Sequence, residues 1–158
     1  MNAIQDHYPS EFAHCYGCGP ANPHGHHLKS FIDGDRTHAL FLPDAKYSGG
    51  YPGNVYGGML ASLLDCHGTA SAAAFAYKAQ GRTMGDGGRP LRFVTGSLKI
   101  DFKLPTPIGS ELMIEGVLRS LDARKAVIDL TLGANGKICV IAEMIAVQLV
   151  AKPPIAAG

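Results

Sequence analysis

YSGGYPGNVYGGMLASLLDCHGTASAAAFAY, residues 47–77, is the stretch that decides the fold. Its first part, 47–58, holds too much Gly and Pro for regular structure. The second part, Met59–Tyr77, reads as one helix of about five turns. That helix is built from Leu, Ala, Gly, Ser and Phe, with no Lys or Glu until Lys78. A surface helix needs a charged face, so a helix without one is expected to be buried all round. The small residues from Gly68 to Ala74 should let other backbone come close.

Outward from the helix the pattern changes to period two. Leu98, Ile100, Phe102 and Leu104 alternate with Lys99, Asp101 and Lys103, which predicts a half-exposed strand. Leu112–Leu118 is a second strand, and Ala126, Ile128, Leu130 and Leu132 mark a third. Asn135-Gly136 signals a type I′ hairpin into a fourth, Ile138–Val150. On the N-terminal side, Leu28–Ile32 and His38–Leu42 flank Asp33-Gly34-Asp35 and read as a hairpin. The order is β-β-α-β-β-β-β, with an irregular N-terminal segment at 1–27, a globular domain at 28–151 and a loose tail at 152–158. One buried helix and a run of antiparallel strands are accommodated when the sheet curls around the helix.

The totals agree with one globular domain. The chain has 158 residues, 46% hydrophobic and 17% charged, which suits a packed core. A net charge of +1 gives no sign of a nucleic-acid or anionic-membrane partner. Met1–Glu11 lacks an apolar targeting core, and Ile138–Val150 is too short to cross a bilayer. Cys66 and Cys139 lie in apolar segments and read as small buried residues, and a reducing, cytoplasmic home is expected.

Asp65 is the anomaly in the helix. Burying a carboxylate without partners costs several kcal/mol, so it needs a reason. Helical spacing puts Ser62, Asp65 and Thr69 on one face, a narrow polar stripe that can line a cavity. Gly57 and Gly58 fall at the helix start, where N–H groups have no helical partner and the dipole is positive. Donors that polarise a carbonyl, followed by a carboxylate, are the minimal parts for acyl-transfer hydrolysis. The same residues also fit a plain loop and a structural Asp bonded to Ser62 or Thr69, or an Asp facing solvent.

GGYPGNVYGGMLASLLD resembles the loop-and-helix signature of hotdog-fold acyl-CoA thioesterases, the Them-type enzymes and their bacterial PaaI-like relatives, whose run ends in HGG-x6-D. TGSLKIDFKLPTPIG resembles the family's following strand, and CYGCGPANPHG resembles the CxxCGxxNPxG opening of bacterial members. The resemblance implies a hotdog fold, with an antiparallel sheet wrapped around one long helix, and hydrolysis of an acyl- or aryl-CoA. It implies Asp65 as catalytic carboxylate, Gly57 as backbone donor to the carbonyl with Gly58 beside it, Thr95 as the hydroxyl that positions water or nucleophile, and Thr69 as a supporting hydroxyl. Tyr56 and Asn54 are expected to contact substrate. It also implies a homodimer, or a dimer of dimers, with sites at the interface, and no cofactor beyond the coenzyme A of the substrate. Tyr56 departs from the family, which has His there. With a reference pKa of about 10, Tyr cannot do that residue's proton chemistry, though it can donate a hydrogen bond.

Rival readings remain. A hotdog protein that binds acyl-CoA without hydrolysing it fits the Tyr56 departure. A dehydratase needs a His in the 47–58 loop, and none is there. A zinc-loop interaction module would leave Asp65 unexplained. Arg82, Arg89, Arg92, Arg119, Arg124 and Lys125 are candidates for the phosphates of CoA, each also at home on a solvated surface. His14-Cys15-x-x-Cys18 with His24, His26 and His27 invites a Cys2His2 zinc reading. The loop also fits a plain tight turn, and the resemblance implies that it is not generally a metal site, so no metal is expected. His67 lies on another helix face from Asp65 and reads as a core or interface residue. Cys66 has no cation near it in sequence to make it a nucleophile.

Overall fold

The structure is a computed structural model that describes residues 1–150. The expected tail at 152–158, and the domain boundary at 151, lie outside the described residues.

Helix α1 spans Gly57–Ala79. The strands are β1 (Ser30–Asp33), β2 (Arg36–Phe41), β3 (Phe93–Phe102), β4 (Leu112–Leu121), β5 (Lys125–Ala134) and β6 (Lys137–Gln148). They form one antiparallel sheet in the order β1-β2-β4-β5-β6-β3. The sheet packs on α1, and the architecture is the expected hotdog. Short 3₁₀ turns at Ile4–His7 and Ser10–Phe12 organise part of the N-terminal segment. No helix among the described residues is long and apolar enough to cross a membrane.

The core follows from the alternation. Leu112 and Ile114, Ile128, Leu130 and Leu132, and Val140 and Met144 point inward at no solvent exposure. Each such side chain contributes roughly 1.5–3 kcal/mol by leaving water. They meet Met59, Leu63 and Leu64 of α1. Gly68 marks the tightest approach. A Cβ there would sit 2.9 Å from Met144 Cε and 3.1 Å from Leu130 Cδ1. What the small helical residues admit is therefore the side chains of the sheet, not another backbone.

Four expectations shift. The first hairpin is displaced from Leu28–Ile32 and His38–Leu42, because the tight turn at Gly34-Asp35 pairs Asp33 with Arg36. Leu28 is buried, but its N–H goes to Gly17 O rather than into the sheet. Strand β3 begins five residues earlier than the alternation from Leu98 implied. A bulge lies between Thr95 and Ser97, where Gly96 is the extra residue, and it breaks the period. Leu104 falls beyond the strand, and its N–H and that of Lys103 converge on Cys139 O. Finally, α1 is not buried all round within one chain: Ala61, Ser62, Asp65 and Thr69 form a half-buried strip. The Asn135-Gly136 turn has the two positive φ values, 52° and 74°, that a type I′ hairpin requires.

The sheet has two open edges. Edge β1 is only four residues long, whereas β3 is a ten-residue edge with Val94 and Phe102 exposed. A long edge with apolar side chains is a surface that proteins ordinarily cover.

Candidate active site

The loop before α1 is tied down by its own backbone. Gly49 N–H donates to Asn54 O at 2.7 Å, Tyr56 N–H to Tyr47 O at 3.0 Å, and Val55 N–H to Thr106 O at 2.8 Å. Tyr56 is the N-cap in extended conformation, with no side-chain cap. Its carbonyl accepts from Met59 N–H and Leu60 N–H. The N–H groups of Gly57 and Gly58 have no acceptor among the described residues. Two adjacent donors at the positive end of a 23-residue helix are thus left for a ligand.

Gly57 opens onto a cleft of about 400 Å³ between the helix start and residues 102–106. Phe102 walls it: a Cβ on Gly57 would lie 3.3 Å from the Phe102 ring. Lys103 lines the cleft, and so does Thr106, whose hydroxyl is buried without a hydrogen-bond partner. Asn54 lines it too, with its amide Nδ2 donating to Pro52 O at 3.0 Å. The Tyr56 ring folds over Gly58 so closely that a Cβ there would meet ring carbon Cε2 at 2.4 Å. Phe102 and Lys103 stand in the sequence only as alternating strand residues, and Thr106 carries no signal of its own, so none of the three was expected at the site.

Two turns further along α1, Asp65 is half-buried and accepts a hydrogen bond from Thr95 Oγ1 through Oδ1. The Gly96 bulge sits directly after Thr95. Gly96 is needed there, since a Cβ would press on Val147 Cγ2 at 3.0 Å and Ile145 O at 3.1 Å. Bulges re-aim the neighbouring side chain, and this one turns Thr95 toward the helix. Thr69 does not reach the Asp65 carboxylate. Its hydroxyl donates to the helix carbonyls of Asp65 and Cys66, both at 3.2 Å. No cation pairs with Asp65 among the described residues, so its one resolved side-chain partner is a neutral hydroxyl.

Gly57 and Asp65 are eight residues apart on one helix, about 12 Å along its axis. One carbonyl group cannot touch both, since a donor and a nucleophile must each come within roughly 3 Å of it. The open β3 edge and the half-open strip of α1 lie on the side where Asp65 meets Thr95.

Several other candidates are engaged elsewhere. Arg119 forms ion pairs with Asp129 and Glu143, and Arg82 with Asp86. The Arg92 guanidinium stacks 3.9 Å from the Tyr8 ring centroid. His67 is fully buried and bonded to Ser30 Oγ at 2.9 Å and Thr37 Oγ1 at 3.2 Å. Cys15, Cys18 and Cys66 come together, and His24, His26 and His27 are not part of that group.

A family profile described as the thioesterase superfamily matches residues 52–141, more than half of the chain. Among solved structures, a thioesterase superfamily protein from Shewanella loihica PV-4 is 36% identical, with a TM-score of 0.67, over 90% of this chain and 100% of that one. The E. coli PaaI protein from the phenylacetic acid degradation operon is 18% identical, with a TM-score of 0.62, over 78% of this chain and 80% of its own. A Streptococcus mutans UA159 protein bound to acetyl CoA is 15% identical, with a TM-score of 0.60, over 77% of this chain and 88% of its own. At those identities the last two speak for the fold alone. No curated protein matches the chain.

Proposed function

This chain belongs to the thioesterase superfamily, and on that premise we propose that it hydrolyses the thioester of an acyl- or aryl-CoA with Asp65 as nucleophile or general base. The observation that carries this reading is the pair of unused N–H groups at Gly57 and Gly58, on a helix that bears a half-buried carboxylate held by a hydroxyl. A protein of the same fold from S. mutans holds acetyl CoA, which supports a CoA ester as the ligand class.

The separation along α1 supports a site built from two copies. In the proposed homodimer, Gly57 of one protomer and Asp65 of the other flank one thioester. The exposed β3 edge supplies the surface for that pairing. The carbonyl oxygen accepts from Gly57 N–H, with Gly58 beside it, and gathers negative charge there as the carbon becomes tetrahedral. Asp65 takes a proton from a water positioned by Thr95, or attacks the carbon itself and is released by water in a second step. In either route the C–S bond breaks and CoA departs as a thiolate, a better leaving group than an alkoxide. The products are the free acid and CoA. Asn54 contacts the substrate from the cleft wall, Tyr56 contacts it from its place over Gly58, and Thr69 supports the helix turn that carries Asp65.

A second reading, binding without hydrolysis, draws on Tyr56, whose ring covers Gly58 and which stands where the signature that this run resembles has His. Incubation with a panel of short, long and aromatic acyl-CoAs, read by release of free thiol, separates the two. Turnover of at least one ester supports hydrolysis. Saturable binding with no thiol released across the panel would support the carrier reading instead.

A further inference from the structure

The cysteine loop brings together what sequence distance hides. Cys15 and Cys18 close on Cys66, which lies 51 residues from Cys15 and beside Asp65 in α1. All three sulfurs lie within 4.8 Å of one another. Cys15 Sγ and Cys66 Sγ are 3.7 Å apart, far beyond the ~2.05 Å of a disulfide. Two thiolates sharing one tetrahedral zinc at Zn–S distances of about 2.3 Å stand roughly 3.8 Å apart, which is the separation seen.

The loop is shaped around those sulfurs. Gly17 passes so close to Cys66 that a Cβ there would lie 2.2 Å from its sulfur. Gly19 turns the chain back, its N–H donating to Cys15 O at 2.8 Å, with a Cβ excluded by Ala13 O and Cys15 N, each at 2.4 Å.

We propose that Cys15, Cys18 and Cys66 bind a single zinc(II) ion, which fastens the N-terminal segment to α1 next to Asp65. Cys18 and Cys66 are buried and Cys15 is exposed, so the fourth coordination position faces solvent on the Cys15 side and takes water. Three protein ligands with one open position is a known zinc arrangement. Binding replaces the thiol protons, which leave to solvent, and forms three Zn–S bonds.

The test uses the whole chain, purified untagged under reducing, chelator-free conditions, with metal measured by elemental mass spectrometry. One zinc per chain is expected, with loss of stoichiometric metal in Cys15→Ser and Cys66→Ser and retention in Cys139→Ser, whose sulfur lies outside the group. Because Cys66→Ser alters a packed helix, Cys15→Ser at the exposed rim is the decisive variant. Cobalt(II) loading gives a second readout: a thiolate-to-cobalt charge-transfer band in the parent that Cys15→Ser weakens. Zinc-loaded parent protein that retains no more metal than Cys15→Ser, or a Cys15–Cys66 disulfide in protein kept reduced, overturns the proposal.

Discussion

Thr95 Oγ1 donates to Asp65 Oδ1, joining the edge strand β3 to the middle of α1 across thirty residues of sequence. The bond fixes the rotamer of the carboxylate and keeps one hydroxyl beside it. Its loss should act on chemistry more than on substrate affinity. Thr95→Val is expected to lower kcat on the order of 10²-fold, with a small change in KM, as a misplaced reacting group does. Thr95→Ser, which keeps the hydroxyl, should retain most of the activity. Steady-state kinetics on the best acyl-CoA read both.

The donor at the helix start can be removed without removing the helix. Proline is well tolerated at the first helical position and has no N–H. Tyr56, with φ −69° and ψ 146°, already has the extended backbone that a following proline demands. The proline ring would press on Phe102, 3.3 Å from a Cβ at position 57, but Phe102 is exposed and can swing aside, so Gly57→Pro should fold and lose about 10²–10³-fold in kcat. If the site is shared between protomers, mixing Gly57→Pro with Asp65→Asn should recover activity, because a mixed dimer rebuilds one intact site. Two inactive variants that stay inactive after subunit exchange would place both groups in one chain's site.

Tyr56 and Gly58 should behave as one unit. A methyl group at position 58 collides with the Tyr56 ring, whose 43% exposure lets it swing into solvent. Gly58→Ala is expected to reduce kcat/KM while costing little stability. In a Tyr56→Ala background the same change should cost much less. The double-mutant cycle should show a coupling of about 1 kcal/mol.

Acid should unfold the protein partly through His67. Burial holds this histidine neutral, with its pKa pushed down to about 3. The unfolded chain takes up the proton near pH 6.5, so only the unfolded state binds it between those values. Stability is complete above about pH 6.5 and falls as the pH drops toward 3, with a slope approaching 1.4 kcal/mol per pH unit from this group. Denaturant titrations at several pH values, with chelator present, should show that slope in the parent and a flatter one in His67→Gln.

The fold was largely legible because its signals are local. A helix with no charged face has to be covered, and period-two strands around it leave a curled sheet as the cover. Asn135-Gly136 states its own turn. What escaped notice depends on pairing at a distance. Nothing in the spacing of Cys15 and Cys18 points to Cys66, since the link exists only once the loop lies on α1. The Gly96 bulge erased the alternation where Thr95 sits, so that residue was reached by resemblance rather than by pattern. Asp65 was visible as a misplaced charge. That it lies half-open, beside a strand edge, follows from where the sheet ends.

The most direct measurement is acyl-CoA hydrolysis by Asp65→Asn beside the parent, on the same preparation and with matched circular dichroism. Asparagine keeps the shape and can still accept from Thr95, but it cannot take a proton or attack. The predicted result is a fall in kcat of about 10²–10⁴-fold with binding of the CoA ester preserved. A variant that turns over at the parent's rate would contradict Asp65 as the group that drives the reaction.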